Sequence, residues 1–404
     1  MSVQDLALQR NKYKHLTDAE WRWFLQQVEG RERTAEKLPT FAAIEDWWYP
    51  VRLSCEQCSS ELTAKYKAEI IHPSLKGRDG VRLLDLTGGY GVDTLFLSEL
   101  FEHTHYVEQN AELCRIMEHN KEIKNEKLKI KNISVHNCTA EEFLSSTLQG
   151  GVEGGFSLIY VDPARRDSHG GKVFHLEDCT PNVIELLPEL LKHSQRLLFK
   201  LSPMLDISQA IKELQAPPHL PKGEEIIWDV HVVAVKNEVK EVLLVSTRGQ
   251  STKDKGGTIT AIDLSCPEQA FTFTREEESA AISLPFRTMS GLGFYLYEPN
   301  AAILKAGAYK LISQRFNLHK LDPNTHLYAS DQYVPHFPGR VWKVSPLPSQ
   351  KERVIQQANV LVRNYPLTAE QLKKKMRLKD GGTEYIIGCR VAGKPVVFLA
   401  ERLH

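Results

Sequence analysis

Three glycines and two acids stand at spacings that could hold a small polar ligand. In VRLLDLTGGYGVDTLFLSEL, residues 81–100, Asp85 closes an apolar run, Gly88, Gly89 and Gly91 follow, and Asp93-Thr94 open a helix-like run. Glu108 comes 23 residues after Asp85, at the end of the next strand candidate, HTHYVE. A carboxylate at the tip of a second strand is placed to accept both hydroxyls of a ribose. Glycines between a strand and a helix let bare backbone close on such a ligand, although the same turn can serve packing alone. The spacing is not G-x-G-x-x-G and no Lys-Ser or Lys-Thr follows, which argues against a P-loop. Cys55 and Cys58 have the C-x-x-C spacing of a metal site, but no second pair follows. On a helix this spacing only sets two thiols on one face, so no metal is expected.

These residues need a strand–turn–helix frame, and the chain supplies one from about residue 81. The strand candidates are 82–86, 103–108, 131–137, 156–162, 196–202, 228–235 and 241–246, with helical patterns between most of the early ones. Such alternation predicts a parallel sheet covered on both faces, with ligands at the carboxyl ends of the strands. Only KNEVK (236–240) separates the last two, which predicts an antiparallel hairpin at one sheet edge. The expected fold class is therefore α/β, a seven-stranded Rossmann-like sheet spanning residues 76–250. Residues 1–75 read as a helical region. Thr17 to Glu20 cap a run of Trp21, Phe24, Leu25 and Val28, and a second helix is expected over 55–66. After the polar tract STKDKGG, residues 251–330 read as a small α+β, ferredoxin-like region, with one helix over 301–316. Residues 331–404 read as strand, helix and a closing hairpin turned by Ala392-Gly393-Lys394.

Composition bounds the function. The 404 residues are 42% hydrophobic and 25% charged, as in ordinary globular proteins. No apolar run is long enough for a membrane span. The N-terminal stretch is polar, without the apolar core of a secretion signal. Seven scattered cysteines suit reduced thiols, so a cytoplasmic protein is expected. Net charge is zero, but residues 301–404 carry 17 Lys+Arg against 7 Asp+Glu, a surplus of 10. A basic C-terminal quarter could approach a phosphate backbone; Lys-rich helices can equally be only soluble.

LLDLTGGYGVDTLFLS, YVEQN and FSLIYVDPARRD resemble motifs of class I S-adenosylmethionine (SAM)-dependent methyltransferases. DLTGGYGVDT, DPARR, FKLSPMLD and the C-terminal FPGRVWKV and LVRNYPLTAEQLKKKMRLKDGGTEY resemble, more narrowly, a bacterial group with a C-terminal THUMP-like domain. The resemblance implies SAM as cofactor. Asp85, Thr87, Gly88, Gly89 and Gly91 would hold its methionine end, Glu108 its ribose, and Thr139, Ala140 and Glu141 its adenine. The group often has Asp where Thr139 stands, and Glu141 could substitute.

The resemblance also implies where the methyl group emerges, at Asp162-Pro163-Ala164-Arg165-Arg166. Amine methyltransferases have Pro and an aromatic where this chain has Ala164 and Arg165. Ribose 2′-O-methyltransferases use a Lys–Asp–Lys–Glu set, for which Lys67, Asp162, Lys200 and Glu241 are the matching positions. A lysine held among carboxylates and a third cation can give up its proton and take one from a hydroxyl. Arg165 and Arg166 would grip phosphate as fork-shaped donors. Relatives of THUMP domains grip structured RNA, so the implied substrate is RNA. Two alternatives remain: a methyltransferase of small molecules or proteins, and a non-catalytic SAM- or RNA-binding protein.

Overall fold

The protein is described from a computed structural model over residues 3–123, 128, 130, 132–147, 155–165, 175–194, 196–215, 226–248, 257–286, 293–345, 347 and 355–403. The chain divides into two compact units, Met1–Trp228 with Leu243–Thr252 and Asp229–Val242 with Lys253–His404.

In the first unit, helix Asp18–Thr34 opens on the expected capping box. Thr17 accepts from the N–H of Glu20, whose carboxylate returns to the Thr17 N–H. The residues read as one helix over 55–66 instead form parts of two, Arg52–Gln57 and Glu61–Leu75. Cys58 is extended and the Ser60 hydroxyl accepts from Thr63 N–H, capping the second helix. A serine that satisfies an orphan N–H competes well with one more helical turn.

The parallel strands are β1 (Arg82–Asp85), β2 (His103–Val107), β3 (Asn132–His136), β4 (Leu158–Val161) and β7 (Leu197–Leu201). Between the last two lies a short ribbon, β5 (Ala164–Arg165) with β6 (Cys179–Thr180). β1 pairs with β2 on one side and β4 on the other, so the strand order reverses between β1 and β4. That reversal opens a crevice at the carboxyl ends, the usual ligand position of open α/β sheets. β1 and β4 are buried almost throughout, and every residue of helix Val92–Ser98 is buried behind the turn.

β8 (Ile226–Val235) and β9 (Glu238–Arg248) form the expected hairpin, each contributing residues to both units. Lys236 and Asn237 both have positive φ, 52° and 60°, as a tight two-residue hairpin turn requires. The hairpin is not the sheet's edge. β10 (Thr258–Asp263) pairs parallel with β8, and β11 (Phe271–Thr274) pairs antiparallel with β10. The order β11-β10-β8-β9-β7-β4-β1-β2-β3 makes nine strands where seven are expected. An uncovered ten-residue strand would present a long row of unpaired backbone groups, and β10 covers it.

The second unit also holds an eight-stranded sheet. Its strands are β12 (Leu284–Pro285), β13 (Phe294–Pro299), β14 (His319–Asp322), β15 (Thr325–Ser330), β16 (Gly339–Ser345), β17 (Asn359–Arg363), β18 (Glu384–Val391) and β19 (Lys394–Arg402). They run in the order β12-β14-β15-β13-β16-β19-β18-β17, so no sheet boundary separates the α+β region from the tail. Trp342, Leu296, Ile387 and Cys389 are buried in one of its cores. The single helix expected over 301–316 is broken. Asn300 caps Ala301–Ala306, Gly307 ends it at φ 84°, and Leu311–Arg315 resumes. Ala392 and Gly393 turn the last hairpin as expected, at φ 46° and 81°. No described helix is long and apolar enough to cross a membrane.

Candidate active site

The glycine turn divides its work between packing and the cleft. A Cβ on Gly88 would lie 2.2 Å from the Tyr106 ring, and one on Gly91 would lie 2.0 Å from Met117 Cε. Gly91, at φ 82°, also starts helix Val92–Ser98. Those two glycines let β2 and the following helix close on β1. Gly89 differs: at φ 56°, the nearest atom to its would-be Cβ is Thr87 O at 3.8 Å. Its N–H donates to Glu108 Oε2 at 2.9 Å and its carbonyl accepts from the Tyr106 hydroxyl at 2.6 Å. Bare backbone therefore faces the cleft at Gly89.

That cleft has a volume of about 360 Å³, within the range of small-molecule sites. Thr87, the glycine turn, Glu108, Thr139, Ala140 and Glu141 line it, and Tyr160, Asp162 and Lys200 close its other end. Glu108 is oriented by two backbone donors, Gly89 N–H and Asn110 N–H at 2.7 Å. Each carboxylate oxygen keeps a lone pair for a further donor. Thr139 caps helix Ala140–Thr147 by accepting from Glu142 N–H at 3.1 Å, while Glu142 accepts from Thr139 N–H at 2.9 Å.

Asp85 is not among the lining residues. It is 1% exposed and lies under the turn, where its two oxygens accept from Thr87 N–H and the Thr94 hydroxyl. Burial is the main cause that pushes its carboxyl up to about 7, and the charges of Asp93 and Asp162 add to it, against those two hydrogen bonds. Asp85 shapes the turn from behind.

At the other end, four charged groups form a chain. Lys67 Nζ lies 3.0 Å from Asp93 Oδ1, Lys200 Nζ lies 3.6 Å from Asp93 Oδ2, and Lys200 also pairs closely with Asp162. Ser59 and Tyr160 donate hydroxyls to Asp93 Oδ2 at 2.6 and 2.7 Å. Burial opposes charge on Asp93, but Lys67, Lys200 and the two hydroxyls outweigh it and hold the carboxyl well below the usual range. Asp162 N–H donates to the Thr87 hydroxyl at 2.6 Å, which joins this end of the cleft to the glycine turn.

A family model for a ferredoxin-like domain matches residues 295–338, and one for a THUMP domain-like fold matches residues 343–402. A crystal structure from Porphyromonas gingivalis W83, carrying a provisional methyltransferase assignment, is 32% identical to this chain. The match covers 96% of this chain and 92% of that one, at a TM-score of 0.78. The chain belongs to the bacterial class I SAM-dependent methyltransferases with a C-terminal THUMP-like domain. Two more distant structures cover less than half of this chain. An rRNA methylase from Streptococcus thermophilus is 13% identical, covering 47% of this chain and 95% of its own, at a TM-score of 0.31. A provisional methyltransferase from Streptococcus mutans in complex with SAH is 15% identical, covering 45% and 97%, also at 0.31. No curated protein matches the chain.

In this methyltransferase, Thr87, Gly88, Gly89, Gly91, Glu108, Thr139, Ala140, Glu141, Asp162 and Lys200 share one cleft. Pro163 is half-buried beside it and is not a lining residue. Glu241 is 3% exposed on β9, in the stretch assigned to the second unit, and does not line the cleft. The backbone of Arg165 pairs with Cys179, and Arg166 lies outside the described residues. Ser59, Tyr160 and Asp93 were missed as members of the charge cluster. The available signal was Asp93 itself, the one charged residue of helix Val92–Ser98. Cys58 lines the cleft, and burial pushes its thiol pKa up; the Cys55 thiol is pushed up to about 12 for the same reason.

Proposed function

We propose that this enzyme methylates structured RNA, binding SAM in the 360 Å³ cleft with its methyl group directed at Asp162 and Lys200. The residues present suit that cofactor. Gly89 offers uncovered backbone, Glu108 offers an oriented carboxylate to a ribose, and Thr139, Ala140 and Glu141 form a wall beyond it. SAM supplies an electrophilic methyl group on a positively charged sulfur.

The chain's own residues do the rest. Thr87 and the glycine turn position the donor end, and Asp162 receives the N–H or O–H of the substrate nucleophile. Lys200 orients the Asp162 carboxylate and offsets its charge. Asp93 fixes Lys200 from behind, with Lys67 as its second counter-ion. The Asp162 carboxylate would take up the proton lost by the nitrogen or oxygen when SAM gives up its methyl group and leaves as S-adenosylhomocysteine. In-line positioning with a base in hydrogen-bond reach is most of what such a transfer asks of a protein.

RNA as substrate rests on the THUMP-like match at residues 343–402 together with the surplus of 10 positive charges over residues 301–404. The test is incubation with tritiated SAM and total RNA, protein extract or metabolites. Acid-insoluble label released by ribonuclease is expected. Label that stays insoluble after ribonuclease and is released by protease would exclude RNA.

A further inference from the structure

A second cavity, of about 950 Å³, lies wholly within the second unit and takes no part in the cleft described above. It is built where the β8–β9 turn, the turn after β10, the loop before β16 and the end of β19 converge. Three cations line it: Lys236, Arg340 and Arg402. Its one carboxylate, Asp263, is 7% exposed and already accepts backbone N–H bonds from Asn237 at 2.6 Å and Ser265 at 2.9 Å. The lining is therefore positive on balance.

The two arginines are close neighbours. Arg402 sits opposite Trp342 in the β16–β19 pair, so Arg340, two residues from Trp342, shares its face on the diagonal. Like charges so placed repel unless an anion or acid lies between them. The nearby acid is Glu298, 3.7 Å from Arg340, but it is also paired with Arg363. One carboxylate shared by two guanidiniums leaves positive charge over.

An aromatic side chain completes the lining. Tyr333 is 39% exposed and is held edge-on by Tyr295, with ring centroids 5.6 Å apart. Its loop is anchored by Tyr297, whose hydroxyl accepts from Val334 N–H at 2.7 Å and donates to Gln332 O at 3.2 Å. His336, on the same loop, is held at φ 57°, a conformation that costs energy outside glycine and collects at binding sites. Fork-shaped cations beside a fixed, exposed ring are the combination that grips phosphate and stacks a base.

We propose that this cavity is a second ligand site, which takes a phosphate-bearing nucleotide of the RNA: Lys236, Arg340 and Arg402 hold phosphate, and Tyr333 stacks on the base. The inference rests on the RNA reading above, and it assigns the clamp to a pocket distinct from the methyl-transfer cleft. Free nucleotides share this chemistry, so the test separates the two sources.

Fluorescence anisotropy of the full chain with a labelled single-stranded oligouridylate gives affinity as a function of salt, and adenosine monophosphate serves as the second probe. Tyr333→Ala is expected to weaken oligouridylate binding on the order of tenfold. Lys236→Gln with Arg402→Gln is expected to weaken it further and to flatten the log–log salt dependence by about 0.7 for each phosphate no longer neutralised. Calorimetric SAM affinity should stay at the unmutated value in all variants, and an unchanged thermal melting profile, which includes the unit that holds the cavity, shows that they fold. Unmutated chain binding the oligomer, with all variants equal to it in affinity and salt slope, overturns the cavity and leaves the RNA reading standing. Mutation-sensitive binding of the mononucleotide without binding of the oligomer keeps the site and removes RNA as its occupant. Binding of neither probe overturns the cavity as a nucleotide site, and the RNA reading is then decided by the ribonuclease-release test above.

Discussion

Gly89 donates its backbone N–H to Glu108 Oε2 at 2.9 Å, which ties the glycine turn to the acid at the tip of β2. Glu108→Ala removes both the acceptor that fixes this turn and the carboxylate offered to a ribose. SAM affinity should fall by about 1–3 kcal/mol for the missing hydrogen bonds to the ribose hydroxyls. Glu108→Gln keeps an acceptor for Gly89 and should lose less. Titration calorimetry of both variants reads the difference, and equal losses would assign the whole effect to the carboxylate's contacts with the ribose rather than to the turn.

Asp162 stands at the opposite end, joined to the turn through its backbone N–H and the Thr87 hydroxyl. Asp162→Ala leaves that bond in place, so SAM binding should change little while transfer to RNA drops about 10²-fold or more. Single-turnover transfer beside calorimetry separates the two effects. Loss of SAM binding would move Asp162 from the substrate side to the cofactor side.

Asp93 and Asp85 are both buried, yet their surroundings drive their carboxyl pKa values in opposite directions. Asp93→Asn leaves Lys67 and Lys200 without their shared counter-ion, and stability should fall by about 3–5 kcal/mol in chemical denaturation at neutral pH. The folded-state pKa of Asp93 is depressed, so its contribution is present above the unfolded value of 3.8 and is lost as pH falls below it.

Asp85 gives the reverse profile. Its folded-state pKa is raised from 3.8 to about 7, so the unfolded chain ionises first and the native state loses relative stability as pH rises across that window. At about 1.4 kcal/mol per pKa unit, the loss amounts to several kcal/mol. Asp85→Asn should flatten the stability profile of the unmutated protein between pH 4 and pH 7. A profile that keeps its slope in the variant would place the titration elsewhere.

The sequence carries the local part of this architecture and omits the part made by residues far apart in the chain. β1, the turn and β2 are legible because apolar periodicity and glycine punctuation act within a few residues. The edge position assumed for the β8–β9 hairpin failed because the polar stretch after residue 250 reads as a linker, while β10 returns to pair with β8. Lys67 was legible as a cation near the site, but its acid partner was not. Asp93 lies 26 residues further along the chain, and only the packing of helix Glu61–Leu75 on helix Val92–Ser98 brings them to 3.0 Å.

Substitutions in the glycine turn should divide along the same line between packing and ligand. Gly91→Ala sets a methyl group on Met117 at φ 82°, and Gly88→Ala sets one in the Tyr106 ring; each overpacks the interior and should cost about 1–3 kcal/mol or more of stability. Gly89→Ala meets nothing closer than 3.8 Å, so only the strain of φ 56° remains, about 1–2 kcal/mol. Its methyl group would instead occupy the space proposed for the cofactor. Gly89→Ala should therefore fold with a modestly lowered melting temperature and lose SAM affinity out of proportion to its reduced stability. Thermal denaturation with and without SAM gives both quantities from one preparation. If Gly89→Ala were stabilised by SAM as much as the unmutated chain, the cofactor would lie elsewhere in the cleft, away from this backbone.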